Sequence, residues 1–215
     1  FTMKLSEFNR QRERQLMSMK GAKSVDKERF FRLLRAKVSP ESINALNGFA
    51  EEMESQDYRH GVLSKAQYMA HPYRVALRLV EHFPKVDQLY IQLALCHNIV
   101  EVSNVTEDLL TYLGPELMKH VNTLTVDRKR QWDHNYKKIY YERISEKKIT
   151  RIIKIFDKMD NLFILSENKD KEVKLKYLKE IENHLMPFVK LDIPALEDYF
   201  EALLKINHEL IGELK

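Results

Sequence analysis

A chain of 215 residues, 44% of them apolar, is long enough to bury a sizeable core, so a fold that depends on disulfide or metal staples is excluded. Its formal charge of +4, with acids and bases interleaved along most segments, argues against long-range attraction to nucleic acid. The single cysteine, Cys96, excludes an intramolecular disulfide and points to a reducing, cytoplasmic setting, and no run approaches the ~20 apolar residues that cross a bilayer.

Five glycines, six prolines and apolar residues spaced three and four apart nearly throughout predict an all-α protein, a single compact helical bundle. Residues 1–24 read as a polar N-terminal arm or loosely attached helix, and residues 25–215 as one helical domain. A short helix is expected from Val25 to Lys37, with Phe30, Phe31, Leu33 and Leu34 as its buried side. Ser39-Pro40-Glu41 starts the next, serine as cap and proline in the first turn, and it continues through Ile43, Leu46, Phe49, Ala50 and Met53. A turn-rich connection over 56–70 then delivers His71-Pro72, which places His71 at the N-cap of a helix through Val75, Ala76, Leu79 and Val80.

The following helix runs from near Val86 to between Val102 and Asn104. It sets polar groups where core side chains belong: His97 and Glu101 lie one turn apart on one face, which Tyr90 and Ala94 continue. An imidazole or carboxylate buried there without a partner costs a few kcal/mol, so this face needs hydrogen bonds or a metal ion. Thr106 caps another short helix, and Leu113-Gly114-Pro115 is a stop followed at once by a start. The basic loop Arg128-Lys129-Arg130 leads to Trp132 and to a helix from Tyr136 to Ile144. A longer helix from Glu146 to Leu165 pairs a strong apolar face with Asp157 and Asn161 one turn apart, and Lys154 three residues before Asp157. Two packing helices close the chain, one through Leu175, Leu178, Ile181 and Leu185, the other opened by Pro194.

His71, His97 with Asn98, and Asp157 have the ligand types of an octahedral nitrogen and oxygen site. Four ordered blocks surround them: Tyr68-Met69-Ala70-His71-Pro72-Tyr73-Arg74-Val75-Ala76; Ala94 to Glu101 followed by Asn104-Val105-Thr106; Leu113-Gly114 with Leu124-Thr125; and Ile153 to Leu162. Over about 58–165 the sequence resembles the HD-domain metal-dependent phosphohydrolases, most closely the hydrolase domains of the alarmone (ppGpp) synthetase/hydrolases and their small hydrolase-only relatives. The resemblance implies a helical HD-like domain in which His71, His97, Asn98 and Asp157 hold one divalent ion, manganese first, magnesium or iron as alternatives. It implies further that Glu101 activates the attacking water and that Asn161, with Lys154 and the loosely matching Lys65, binds a nucleotide substrate; by its own chemistry the Arg130 fork suits substrate phosphates, a solvated loop being the alternative.

Two positions depart from the family pattern. Asn98 stands where the family has the aspartate that names it, and Val102 replaces the second acid of a Glu-Asp pair. An amide oxygen still suits a hard cation, but the site loses a formal negative charge and a group that positions water. Two functions therefore stand side by side: a metal-dependent hydrolase of a nucleotide phosphate or pyrophosphate ester, with impaired activity, and a catalytically inactive nucleotide-binding or protein-interaction module on the same scaffold. Nucleic-acid binding through the loop around Arg130 is a weaker third. No membrane is implied, and self-association is left open.

Overall fold

In the computed structural model, which describes residues 3–20, 25–59, 61 and 63–213, every regular element is a helix. Among the described residues β pairing is confined to one isolated bridge between Tyr58 and Ser103. The chain divides into two compact units, Ser18–Arg128 on one hand and Phe1–Met17 with Lys129–Lys215 on the other. No described helix is long and apolar enough to cross a membrane.

The first helix is α1 (Leu5–Ser18), within the segment expected to be a polar arm or a loosely attached helix. Phe8 is fully buried and stacks on Phe163 with ring centroids 5.4 Å apart. Arg12 pairs with Glu167, and the buried Gln15 amide donates to Asp160 at 3.0 Å. Positions 8, 12 and 15 form one helical stripe, but only one of the three is apolar, so hydrophobic periodicity does not reveal it.

In the unit Ser18–Arg128, α2 (Val25–Arg35) packs along α4 (Lys65–His82), and α3 (Pro40–Ser55) and α4 pack on α5 (Gln88–Cys96). Phe30, Phe31 and Tyr73 cluster at this core, with Phe30 centroids 4.9 Å from Phe31 and 6.0 Å from Tyr73. Leu33 is only half-buried. Ser39 caps α3 as expected, accepting from the Ser42 amide, and the five apolar positions read for that helix are buried. A buried pair, Arg74 to Asp26 at 3.1 Å, ties α4 to α2.

Helix α4 begins seven residues earlier than expected, so His71 lies inside it and not at its N-cap. Ser64 accepts from the Gln67 amide at 3.3 Å while the Gln67 side chain accepts from the Ser64 amide at 2.7 Å, a reciprocal cap that outweighs Pro72 as a start signal. Pro72 is carried in the helix interior. The His97 helix is also interrupted: Asp87 caps α5, which ends at Cys96, and a four-residue turn of helix, α6 (Ile99–Val102), follows. Asn98, with φ −103° and ψ 7°, makes the break. In α7 (Glu107–Leu124), Thr106 is the cap and Gly114 (φ 77°, ψ 164°) joins two helical segments across a kink, as the Gly-Pro pair predicts.

In the other unit, α8 (His134–Ser145) packs on α9 (Lys148–Leu162), and α10 (Lys171–Glu180) continues through a π-helical turn, Ile181–Leu185, into α11 (Met186–Asp192). A turn at Pro194 leads into α12 (Glu197–Glu213). Leu175 faces outward, 41% exposed, and Lys174 takes the inward position with Leu178, Ile181 and Leu185. Lys174 is only 2% exposed, so residue type alone misassigns this face.

Candidate metal centre

Two imidazoles meet in the unit Ser18–Arg128. His71, half-buried on α4, and His97, fully buried at the end of α5, have ring centroids 5.3 Å apart at 64°. His97 Nδ1 lies 2.7 Å from the Ala94 carbonyl oxygen. A carbonyl can only accept, so Nδ1 carries the hydrogen and Nε2 keeps its lone pair, the tautomer that a metal-binding histidine needs. An imidazole nitrogen binds a divalent ion at about 2.1 Å, which puts two rings on neighbouring coordination positions roughly 4.5–5.5 Å apart between centroids. The observed pair fits that spacing.

The break at His97 and Asn98 creates this arrangement. Asn98 is half-buried at the start of α6, and its carbonyl accepts from the Glu101 amide at 3.0 Å. Glu101 turns its nearly buried carboxylate to Arg128, whose Nε donates to Oε1 at 2.9 Å. No local pattern signals this pairing, because α7 (Glu107–Leu124) separates Glu101 from the loop that carries Arg128. Val102 is buried, and its carbonyl accepts from the Arg59 amide. Cys96 packs as a small core residue, and burial pushes its thiol far above the ordinary range.

In the other unit α9 presents Asp157, buried to 4% exposure, with Lys154 Nζ 3.1 Å from Oδ2 and the Asn161 amide 3.3 Å from Oδ1. Both donors are on the same helix, three residues before and four after, so the carboxylate is oriented by its own element. Tyr177 of α10, read from the sequence as part of a packing helix, joins this group. Burial raises its hydroxyl well above the ordinary value, with Asp157 and Glu180 adding to the effect.

The remaining expected residues are placed as follows. Lys65 is exposed in the first turn of α4, its ammonium 3.5 Å from the Ser55 carbonyl, and it lines a cavity of about 450 Å³ with Lys27, Glu54 and Tyr73. Arg130 lays its guanidinium over the Tyr136 ring, 4.8 Å from the centroid.

No family model matches the chain, and no match is found among curated proteins. Among solved structures it is similar to a metazoan ortholog of SpoT that hydrolyses ppGpp, at 22% identity and a TM-score of 0.57, over 82% of this chain and 98% of that one. The chain thus has the all-helical fold of an HD-domain hydrolase, the fold that its four sequence blocks resemble.

Proposed function

We propose that this protein is a metal-dependent phosphohydrolase acting on a nucleotide that bears a phosphate or pyrophosphate ester, alarmones among them. His71, His97 and Asp157 hold one divalent ion, each through a single imidazole nitrogen or carboxylate oxygen, and Asn98 adds its amide oxygen. Manganese suits this mixed donor set, with magnesium and iron as alternatives. The observation that carries the reading is the histidine pair, with ring centroids 5.3 Å apart and Nδ1 of His97 committed to the Ala94 carbonyl. When bound, such an ion lowers the pKa of water and polarises a phosphoryl oxygen. Glu101 orients the attacking water and accepts its proton. Asn161 and Lys154 hold the nucleotide, and Lys65 and Arg130 meet its phosphates.

A second reading, a silent nucleotide-binding or protein-interaction module, is favoured by Asn98, by the apolar Val102 and by the Arg128 pairing that neutralises Glu101. One experiment separates the two. Purified protein is assayed with manganese against a panel of nucleotides, beside Asn98→Asp and His97→Asn, and its metal content is measured by elemental analysis. The hydrolase reading expects turnover in the wild type, a gain in Asn98→Asp and loss in His97→Asn. No turnover in either the wild type or Asn98→Asp, with no bound metal, selects the silent module.

A further inference from the structure

A second cluster of charged groups lies in the unit built from α8 to α12, and none of its pocket-lining residues belongs to the proposed metal or nucleotide set. Glu180 is buried, and its carboxylate is shared between two nearly buried ammoniums: Lys137 at 3.2 Å and Lys158 at 3.4 Å. The Tyr141 hydroxyl also donates to it, at 2.6 Å. Two buried cations thus share one anion, and a net positive charge is left at the floor. Burial lowers Lys137 to about 8, against the opposing pull of Glu180.

Above Lys137 opens a cavity of about 200 Å³, walled by Trp132, Lys176, Lys179, Asn183 and His184. The Lys137 and Lys176 ammoniums lie 5.6 Å and 5.8 Å from the Trp132 ring centroid. His184 stacks flat on Tyr141 at 4.6 Å. The other acid at the rim, Asp133, is committed as the cap of α8, accepting from the Tyr136 amide at 2.7 Å. Three lysines and an amide therefore converge on a space whose carboxylates are already engaged. A buried charge without full compensation costs several kcal/mol, so an anion entering here gains both attraction and relief of that cost. The volume is below the ~300 Å³ of pockets that enclose a whole organic ligand, which limits the occupant to a compact anion.

We infer that this pocket binds a small phosphate-class anion of up to pyrophosphate size, through Lys137, Lys176, Lys179 and Asn183. Trp132 is the chain's one tryptophan and forms the wall, so its fluorescence reports occupancy directly. The test is a titration of the full chain with inorganic pyrophosphate, and separately with orthophosphate, at constant ionic strength. It is run on the wild type, on the surface double variant Lys176→Met/Lys179→Met, and on His97→Asn. A saturable change is expected in the wild type, with affinity weakened about tenfold or more in the double lysine variant. Affinity is expected to be unchanged in His97→Asn, which separates this pocket from the proposed metal centre. No saturable change up to roughly 10 mM, equal affinity in the double variant, or loss in His97→Asn would each overturn the inference.

Discussion

Glu180→Gln removes the one anion that two buried lysines share. In the wild type, burial alone would raise the Glu180 carboxyl. Lys158 and Lys137, with the Tyr141 hydrogen bond, outweigh it and bring the group from 4.5 down to about 2. That gap corresponds to about 3 kcal/mol of preference for the ionised form in the folded chain. The neutral amide keeps the shape and an acceptor oxygen but withdraws the charge that holds the Lys137 proton, which leaves Lys158 charged in a dry setting and Lys137 either charged there or neutral without its ion pair. Breaking a buried pair in this way costs about 3–5 kcal/mol, so two independent routes converge on a loss near 3 kcal/mol. For a chain of this length the melting temperature should fall by about 6–12 °C.

The acid limb has a definite sign. A carboxyl whose folded value is depressed contributes stability that is fully present above 4.5 and is lost as pH falls from there through about 2. Glu180→Gln should therefore flatten the acid side of the stability profile while lowering the neutral plateau. Urea unfolding followed by Trp132 fluorescence at neutral pH and near pH 3 measures both, and Trp132 lies in the same unit as Glu180. A loss below about 1 kcal/mol at neutral pH would refute the shared-anion reasoning, because it would mean that water reaches both lysines.

Three further outcomes follow from particular residues. Lys137→Met should remove a rise in stability that the wild type shows between pH 8 and 10, since a lysine lowered to about 8 stops costing stability once it deprotonates; pH-dependent urea midpoints check this. Phe8→Ala should cost about 3–5 kcal/mol by thermal or urea unfolding, because the ring is fully buried against Phe163, whereas a loosely attached helix would register almost nothing. Gly114→Ala should destabilise by about 1–3 kcal/mol through backbone strain alone: an added Cβ meets nothing within 4 Å, yet φ 77° with ψ 164° is a region that side chains avoid, and calorimetry against Gly48→Ala isolates the effect.

What could be read from the sequence was local. Ser39-Pro40, Thr106, Gly114-Pro115 and Pro194 mark helix boundaries because a cap or a fixed φ acts within a few residues. At His71 two start signals compete, and the reciprocal Ser64 and Gln67 cap has stronger start chemistry than Pro72, so the helix begins before the histidine. The break at His97 was not legible, since neither glycine nor proline marks it and Asn98 alone hints at a turn. The docking of α1 was hidden for another reason. Gln15 finds Asp160 across 145 residues, and a polar pair at that separation leaves no periodic trace.

The chain has the fold of a solved helical hydrolase, and on the proposed function the charges of the expected ligands and their neighbours decide how that fold is used. Asn98 is neutral where the family pattern has an acid, Val102 carries no charge, Glu101 is matched by Arg128, and Asp157 is matched by Lys154. Every one of these reduces the negative potential available to a cation, and of them only Val102 lacks a side-chain atom that a cation or its water could use. On the proposed function, such a set would bind a divalent ion weakly when alone and more tightly when a phosphate ester brings its own negative charge to the same ion. Metal and nucleotide should therefore bind with positive coupling, each raising the affinity of the other by the same factor. Asn98→Asp should weaken that coupling by restoring the missing charge, because a site already able to hold the ion gains less from the ligand. Calorimetric titration of manganese with and without a non-hydrolysable nucleotide measures the factor in both proteins, and equal coupling in the two would show that the charge at residue 98 does not set it.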